Sequence, residues 1–145
     1  MSKHLQYGVP LITVVLSTCS WTTNFVVMNS AREAIRITYL ARPLRTPPAV
    51  TATKALSEDP RVWKELDVSA ARADSALLTL TLGPDSSLVL AELGTYTGYR
   101  EDLADRFEIK TLRILGTLGE RSYIGREVLR AFDRRSDRLY VVEFR

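Results

Sequence analysis

The sequence contains little of the chemistry that most enzymes and metalloproteins need. Its 145 residues include one cysteine, Cys19, and one histidine, His4. A single cysteine excludes an intramolecular disulfide, and it also excludes a zinc or iron–sulfur site built on several thiolates. A single histidine close to the amino terminus argues against a serine–histidine triad and against a multi-histidine metal site. We therefore predict a protein that is not an enzyme, with no catalytic residue, no metal site and no small-molecule cofactor.

Charge of one sign is scarce as well. The 20 lysines and arginines are nearly balanced by 17 aspartates and glutamates, which leaves a net charge of +3. Basic and acidic residues alternate, as in REDLADRFEIK over residues 100–110, and they form no basic stripe of the kind that binds nucleic acid. We predict no nucleic-acid partner. The length, the 46% hydrophobic fraction and the 26% charged fraction are typical of one soluble globular domain.

The amino-terminal segment has the organisation of a secretory leader. Lys3 supplies the positive charge, residues 8–16 supply an interrupted apolar run, and small residues follow. A membrane-spanning helix needs about 20 apolar residues, and this run is about half as long. We predict a signal peptide over residues 1–18 and a single β-rich domain over 19–145. The alternatives are an uncleaved anchor and an inner strand over residues 9–16, which the β-branched side chains favour.

The end of this segment, Leu16-Ser17-Thr18-Cys19, resembles the lipobox of bacterial lipoproteins. In that family a leucine and two small residues precede the cysteine whose thiol is acylated; Thr18 stands where Gly, Ala or Ser is usual. The resemblance implies cleavage before Cys19, lipidation of Cys19, and attachment to a membrane of the bacterial cell envelope. Serine rather than aspartate at position 20 implies sorting to the outer membrane in a Gram-negative cell. If the segment belongs to the fold instead, a cytoplasmic protein is expected.

Short alternating strands dominate the rest of the chain. Ile35–Leu40 has one apolar face, and we expect it to pair in antiparallel fashion with residues 24–29. Residues 76–82 and 87–93 alternate around turn residues and predict a hairpin whose leucines face the core. A final strand is expected over Leu139–Phe144. This pattern predicts a mainly β fold, a single antiparallel β-sandwich or barrel with one or two short helices. It is also similar to the strand pattern of small bacterial lipoproteins of unassigned role.

Three surfaces are candidates for binding a protein partner. Residues 41–60 contain four prolines and predict a surface connection, with Trp63 beyond it as a lid of the core. Residues 94–99 combine glycine and tyrosine in a loop, and an open edge strand could accept a strand from a partner. The candidate partner-binding residues are Pro47, Pro48, Trp63, Tyr96 and Tyr99.

One segment carries a resemblance to an enzyme family. Residues 123–132 (YIGREVLRAF) are similar to the closing segment of retropepsin-like aspartic proteases, in which Ile-Gly precedes a helix and a final strand. The catalytic Asp-Thr/Ser-Gly triplet of that family has no counterpart, because Asp74 and Asp85 lack the following glycine. We therefore expect an exported, lipid-anchored envelope protein that acts as a non-enzymatic structural or protein-interaction module, with a protein of the envelope as its partner. The alternative is a domain related to retropepsin-like proteases.

Overall fold

A computed structural model describes residues 21–40, 47–67, 72–74, 77–95 and 100–145, with the backbone alone for 72–74, 95 and 100–102. In these ranges the chain forms eleven strands, two short α-helices, and two single turns of 3₁₀-helix at Thr53–Ala55 and Pro60–Val62. The strands are β1 (Trp21–Asn29), β2 (Ile35–Leu40), β3 (Ala49–Ala52), β4 (Lys64–Glu65), β5 (Arg72–Asp74), β6 (Leu77–Leu82), β7 (Ser86–Thr95), β8 (Thr111–Gly116), β9 (Gly119–Ile124), β10 (Asp133–Ser136) and β11 (Leu139–Phe144). The helices are α1 (Arg100–Arg106) and α2 (Arg126–Arg130).

The strands form two sheets. The larger sheet has the order β10-β11-β1-β7-β3-β4 and the smaller one the order β5-β6-β2-β8-β9. Every pair of strands described is antiparallel except β1 and β11, which run parallel. The predicted fold class, a mainly β sandwich with short helices, is confirmed.

The facing sides of the two sheets enclose the main hydrophobic core. In β2, β6 and β8 every second side chain points inward, as the period of two in their sequences requires. Burying one such aliphatic side chain contributes about 1.5–3 kcal/mol, so this alternation stabilises the smaller sheet against the larger one. The buried residues of these three strands are Ile35, Ile37, Tyr39, Leu78, Leu80, Leu82, Leu112 and Ile114.

An aromatic cluster joins both helices to the core. The ring of Phe25 in β1 stacks on Tyr140 with centroids 5.0 Å apart, and it lies 4.7 Å from Phe107, which follows α1. Phe132, which follows α2, meets Phe25 edge-on at 5.5 Å. Such pairs stabilise beyond their burial by about 0.5–1.5 kcal/mol each, so the segments that follow the two helices are fixed to one point in the core.

The larger sheet is covered on both faces. Residues 25–27 are consecutive in β1 and all have 0% exposure, so their outward as well as their inward side chains are buried. On the outer face Val26 belongs to a second cluster, against which Leu56 and Trp63 pack. The Trp63 indole Nε1 donates a hydrogen bond to the Ser57 carbonyl at 3.1 Å. Trp63 therefore covers a hydrophobic cluster, as predicted, and this cluster is the one on the outer face of the larger sheet.

Two predicted strand pairings are wrong, because both connections cross between the sheets. β1 and β2 lie in different sheets, and so do β6 and β7, which the sequence predicts to be a hairpin. The fully buried Asn29 side chain explains how both crossings are held. Its Nδ2 donates to the carbonyls of Leu82, at 3.2 Å, and Gly83, at 2.9 Å. The turn then passes through Asp85, which has a positive φ of 49°.

Candidate functional site

The end of the sandwich at which β1 begins lies nearest to the predicted lipidation site. Cys19 is outside the described residues, but it precedes Trp21 by only two positions. Two residues span at most about 7 Å, so an anchor at Cys19 would hold this end against the membrane. Trp21 pairs with Thr95 at the end of β7, and Nη1 of Arg106, at the end of α1, donates to the carbonyl of Gly94. We call the Trp21 end the region that contains the start of β1, the end of β7, α1 and residues 107–110, which follow α1.

The first residues of β1 are hydrogen-bonded to the loop between β10 and β11. The backbone N–H of Asn24 donates to the Arg138 carbonyl at 2.8 Å, and the Thr23 hydroxyl donates to the Asp137 carbonyl at 3.3 Å. Both Thr23 and Asn24 are buried, and Oδ1 of Asn24 has no hydrogen-bond partner within the described part of the chain. A pull on the amino terminus therefore acts on a strand that is held by its neighbours on both sides.

An open groove of about 1080 Å³ lies between the end of α1 and α2. Apolar side chains form part of its lining, and charged side chains form another part. Among the described residues, the three cations of the groove make no ion pair, whereas five other arginines do. The apolar lining includes Phe107, Ile109 and Leu129, the cations are Lys110, Arg126 and Arg130, and the carboxylate is Asp105.

The hairpin of β8 and β9 brings the cations of the groove together. Its register pairs Thr111 with Ile124, so the residues just outside it, Lys110 and Gly125, are neighbours. The Gly125 amide donates to the Lys110 carbonyl at 2.8 Å. Gly125 has a φ of 60°, which glycine adopts without strain, and α2 begins at the next residue, Arg126. Lys110 and the first turn of α2 are thereby held at one rim.

The predicted partner-binding residues differ in accessibility. Pro47 is exposed, whereas Pro48 is buried and its carbonyl accepts a 2.8 Å hydrogen bond from the Leu66 amide. Trp63 is half-buried. Tyr96 and Tyr99 lie outside the described residues. Partner binding at all five residues stays a prediction, and the carbonyl of Pro48 in addition joins the start of the β3 region to the residue after β4.

The two aspartates nearest to a protease motif lie at opposite ends of one strand. Asp74 is opposite Leu77 at the start of β6, and Asp85 follows Leu82 at its end. Five residue intervals of a strand measure about 17 Å, far beyond the distance at which two carboxylates share a proton. The segment similar to the proteases does fold in the implied order of Gly125, α2 and closing strands. In the described ranges no group of three His, Cys, Asp or Glu side chains could hold a metal ion.

The cationic groove was not anticipated from the sequence. Local patterns place Lys110 in one charged stretch and Arg126 and Arg130 in another. The signal that could have joined them is the turn between Gly116 and Gly119, because counting outward from that turn along both strands brings residues 110 and 125 together.

No protein-family model, no curated protein and no solved structure matches the chain. Among the residues that the structure describes, no helix is both long enough and apolar enough to cross a membrane.

Proposed function

We propose that this chain is an exported, lipid-anchored protein of the bacterial cell envelope that acts as a non-enzymatic structural or protein-interaction module. The observation that carries the proposal is the position of the lipobox-like segment relative to the folded domain. β1 begins two residues after Cys19, and both hydrophobic clusters are built from residues at or beyond Phe25. Cleavage before Cys19 would leave every described strand and helix intact.

A lipid anchor suits a small domain of this kind. Two or three acyl chains attach a protein stably to a membrane, whereas one chain binds only reversibly. Tethering raises the effective concentration of neighbouring envelope proteins, so a module on the surface needs little intrinsic affinity. In the described part of the smaller sheet β9 is an edge strand, and its residues 119–122 are all exposed. Such an edge offers backbone groups to a strand from a partner.

Acyl labelling with membrane fractionation tests the anchor. The full-length gene is expressed in a bacterium as the wild type, as Cys19→Ala, and as Thr18→Gly, which restores the usual lipobox residue. We expect label and membrane recovery for the wild type, loss of both for Cys19→Ala, and equal or more complete processing for Thr18→Gly. An unlabelled wild-type protein that retains Met1 would contradict the proposal and favour a cytoplasmic domain.

Photo-crosslinking in the same cells tests the interaction module. A crosslinking residue replaces Ser122 at the β9 edge, Pro47 in the proline-rich connection or Tyr99, with exposed Arg32 between β1 and β2 as the control position. We expect a discrete adduct from at least one of these three positions and none from the control. Absence of adducts from all three positions would contradict an interaction role.

A further inference from the structure

The outer face of the smaller sheet ends in an apolar row. The strand registers place four residues side by side across β6, β2, β8 and β9. Their sequence neighbours point into the core, so these four side chains point outward. Ile124, at the β9 edge, is 67% exposed, and Leu77, which is opposite Asp74 of β5, is 42% exposed. The row consists of Leu77, Leu40, Thr111 and Ile124.

This row lies at the Trp21 end. The Leu40 carbonyl accepts a 3.1 Å hydrogen bond from the Lys110 amide, and Lys110 follows the end of α1 by four residues. The next row along the same outer face is polar and contains Thr79, Thr38, Arg113 and Ser122. The exposed apolar surface of this face at the Trp21 end is therefore confined to its rim.

The cations of the groove flank the apolar row. Lys110 directly precedes Thr111, and Arg126 follows Ile124 by two residues. Three cations and one carboxylate, Asp105, line the groove, so the lining itself carries an excess of positive charge. Exposed Glu108 and Glu127 lie outside that lining, and Asp74 of β5 is opposite Leu77 at the far side of the row. Exposed apolar side chains beside unpaired cations are the combination that binds an anionic membrane surface.

We infer that this rim docks on anionic phospholipid headgroups of the membrane that holds the anchor. The docking rim is the apolar row Leu77, Leu40, Thr111 and Ile124 together with Lys110, Arg126 and Arg130. This docking rests on the proposed function, because the anchor at Cys19 supplies the membrane and a two-residue tether brings the Trp21 end to it. The charge of the rim and the short tether both predict that this face of the domain contacts the membrane.

Paired probes on the lipidated chain test this orientation. Because acylation consumes the thiol of Cys19, the chain has no other cysteine, and one introduced cysteine carries a nitroxide probe uniquely. Ile124→Cys places the probe on the rim, and Leu118→Cys, a residue with 81% exposure in the β8–β9 turn at the opposite end of the sheet, is its matched control. In phosphatidylglycerol-containing vesicles we expect the probe at 124 to be shielded from a water-soluble quencher and the probe at 118 to be accessible. Equal accessibility of the two probes would overturn the inference.

Charge variants test whether the three cations keep the rim docked on the anionic membrane. The triple variant Lys110→Gln, Arg126→Gln, Arg130→Gln should lower the ratio of docked to undocked protein about a hundredfold, since each basic residue near such a surface contributes about a factor of five. The control triple variant, Arg32→Gln, Arg36→Gln, Lys54→Gln, removes the same charge from exposed residues away from the rim and should keep position 124 shielded. Shielding that survives the rim variant, or that is equal in pure phosphatidylcholine vesicles, would overturn the inference. Shielding seen only in cells would also overturn it and would indicate a protein partner.

Failure of the anchor and failure of the docking are distinguishable. Acyl labelling of the same preparation reports on the anchor alone. If no label is incorporated, the full-length Cys19→Ser chain is added to preformed anionic vesicles with the same probes and charge variants. Shielding at position 124 that depends on the three cations would then retain the docking without the anchor, and its absence would overturn the docking.

Discussion

Gly116 marks a point at which the two sheets approach too closely for any side chain. A Cβ atom there would lie 2.6 Å from Cε1 and 2.8 Å from Cζ of Phe144, and 3.3 Å from Cγ2 of Ile35. Carbon atoms pack best at about 3.5–4.0 Å, so Gly116→Ala forces the Phe144 ring to move. That ring is 4% exposed, and the guanidinium of Arg121 lies 5.2 Å from its centroid. We expect Gly116→Ala to destabilise the domain by about 1–3 kcal/mol, the usual cost of overpacking a core.

The assay is urea unfolding followed by tryptophan fluorescence, with Gly94→Ala as the matched control. Gly94 also lies in a strand, but nothing is within 4 Å of a Cβ atom there, so the control should be neutral or stabilising by up to about 1 kcal/mol. Phe144→Leu should cost less in the Gly116→Ala background than in the wild type, with a coupling of about 0.5–3 kcal/mol. Equal stability of Gly116→Ala and the wild type, or strict additivity with Phe144→Leu, would refute the described packing.

Three further substitutions test other parts of the fold. Burial raises the pKa of Tyr39 to about 12, and its hydroxyl has no hydrogen-bond partner among the described residues. Tyr39→Phe should therefore leave the free energy of unfolding at pH 7 unchanged. It should also abolish the loss of stability that is expected in the wild type as pH rises beyond about 10. The Arg145 side chain, assisted by Ser30, lowers the pKa of Glu143. The Glu143 carboxylate therefore stabilises the fold above the ordinary glutamate pKa, and this stabilisation is lost as pH falls through the lowered pKa. Glu143→Gln should flatten the acid limb of a stability–pH curve. Trp63→Ala should cost about 2–3 kcal/mol in urea unfolding because it uncovers the outer face of the larger sheet, whereas Val62→Ala, at a position with 43% exposure, should stay within about 0.5 kcal/mol. An unchanged alkaline limb, an unchanged acid limb, or equal effects at positions 62 and 63 would contradict the respective assignment.

The faces of strands could be predicted from the sequence, but their partners could not. The alternation in β2 correctly placed Ile35, Ile37 and Tyr39 in the core, because side-chain direction is a local property of the chain. Pairing depends on distant residues: β1 lies between β7 and β11, whose residues are more than 50 positions away. The turn at Gly83 looks like a hairpin turn, yet the buried amide of Asn29 holds it as a crossing between the sheets.

The sequence indicated that Trp63 covers a hydrophobic cluster but not which cluster. A large aromatic side chain beside a proline-rich segment indicates burial but not the face on which it is buried. The signal in the sequence was the consecutive apolar run over residues 25–27, and the structure buries all three side chains. The cationic groove needed one further step, because Lys110 and α2 meet only through the hairpin that separates them in sequence.

Mass spectrometry of the amino-terminal peptide of the membrane-extracted protein tests the lipid anchor. We expect a peptide that begins at Cys19, carries a lipid on its sulfur, and contains nothing from residues 1–18. A peptide that begins at Met1 and has a free Cys19 thiol would contradict the anchor and with it the proposed place of the protein in the cell envelope.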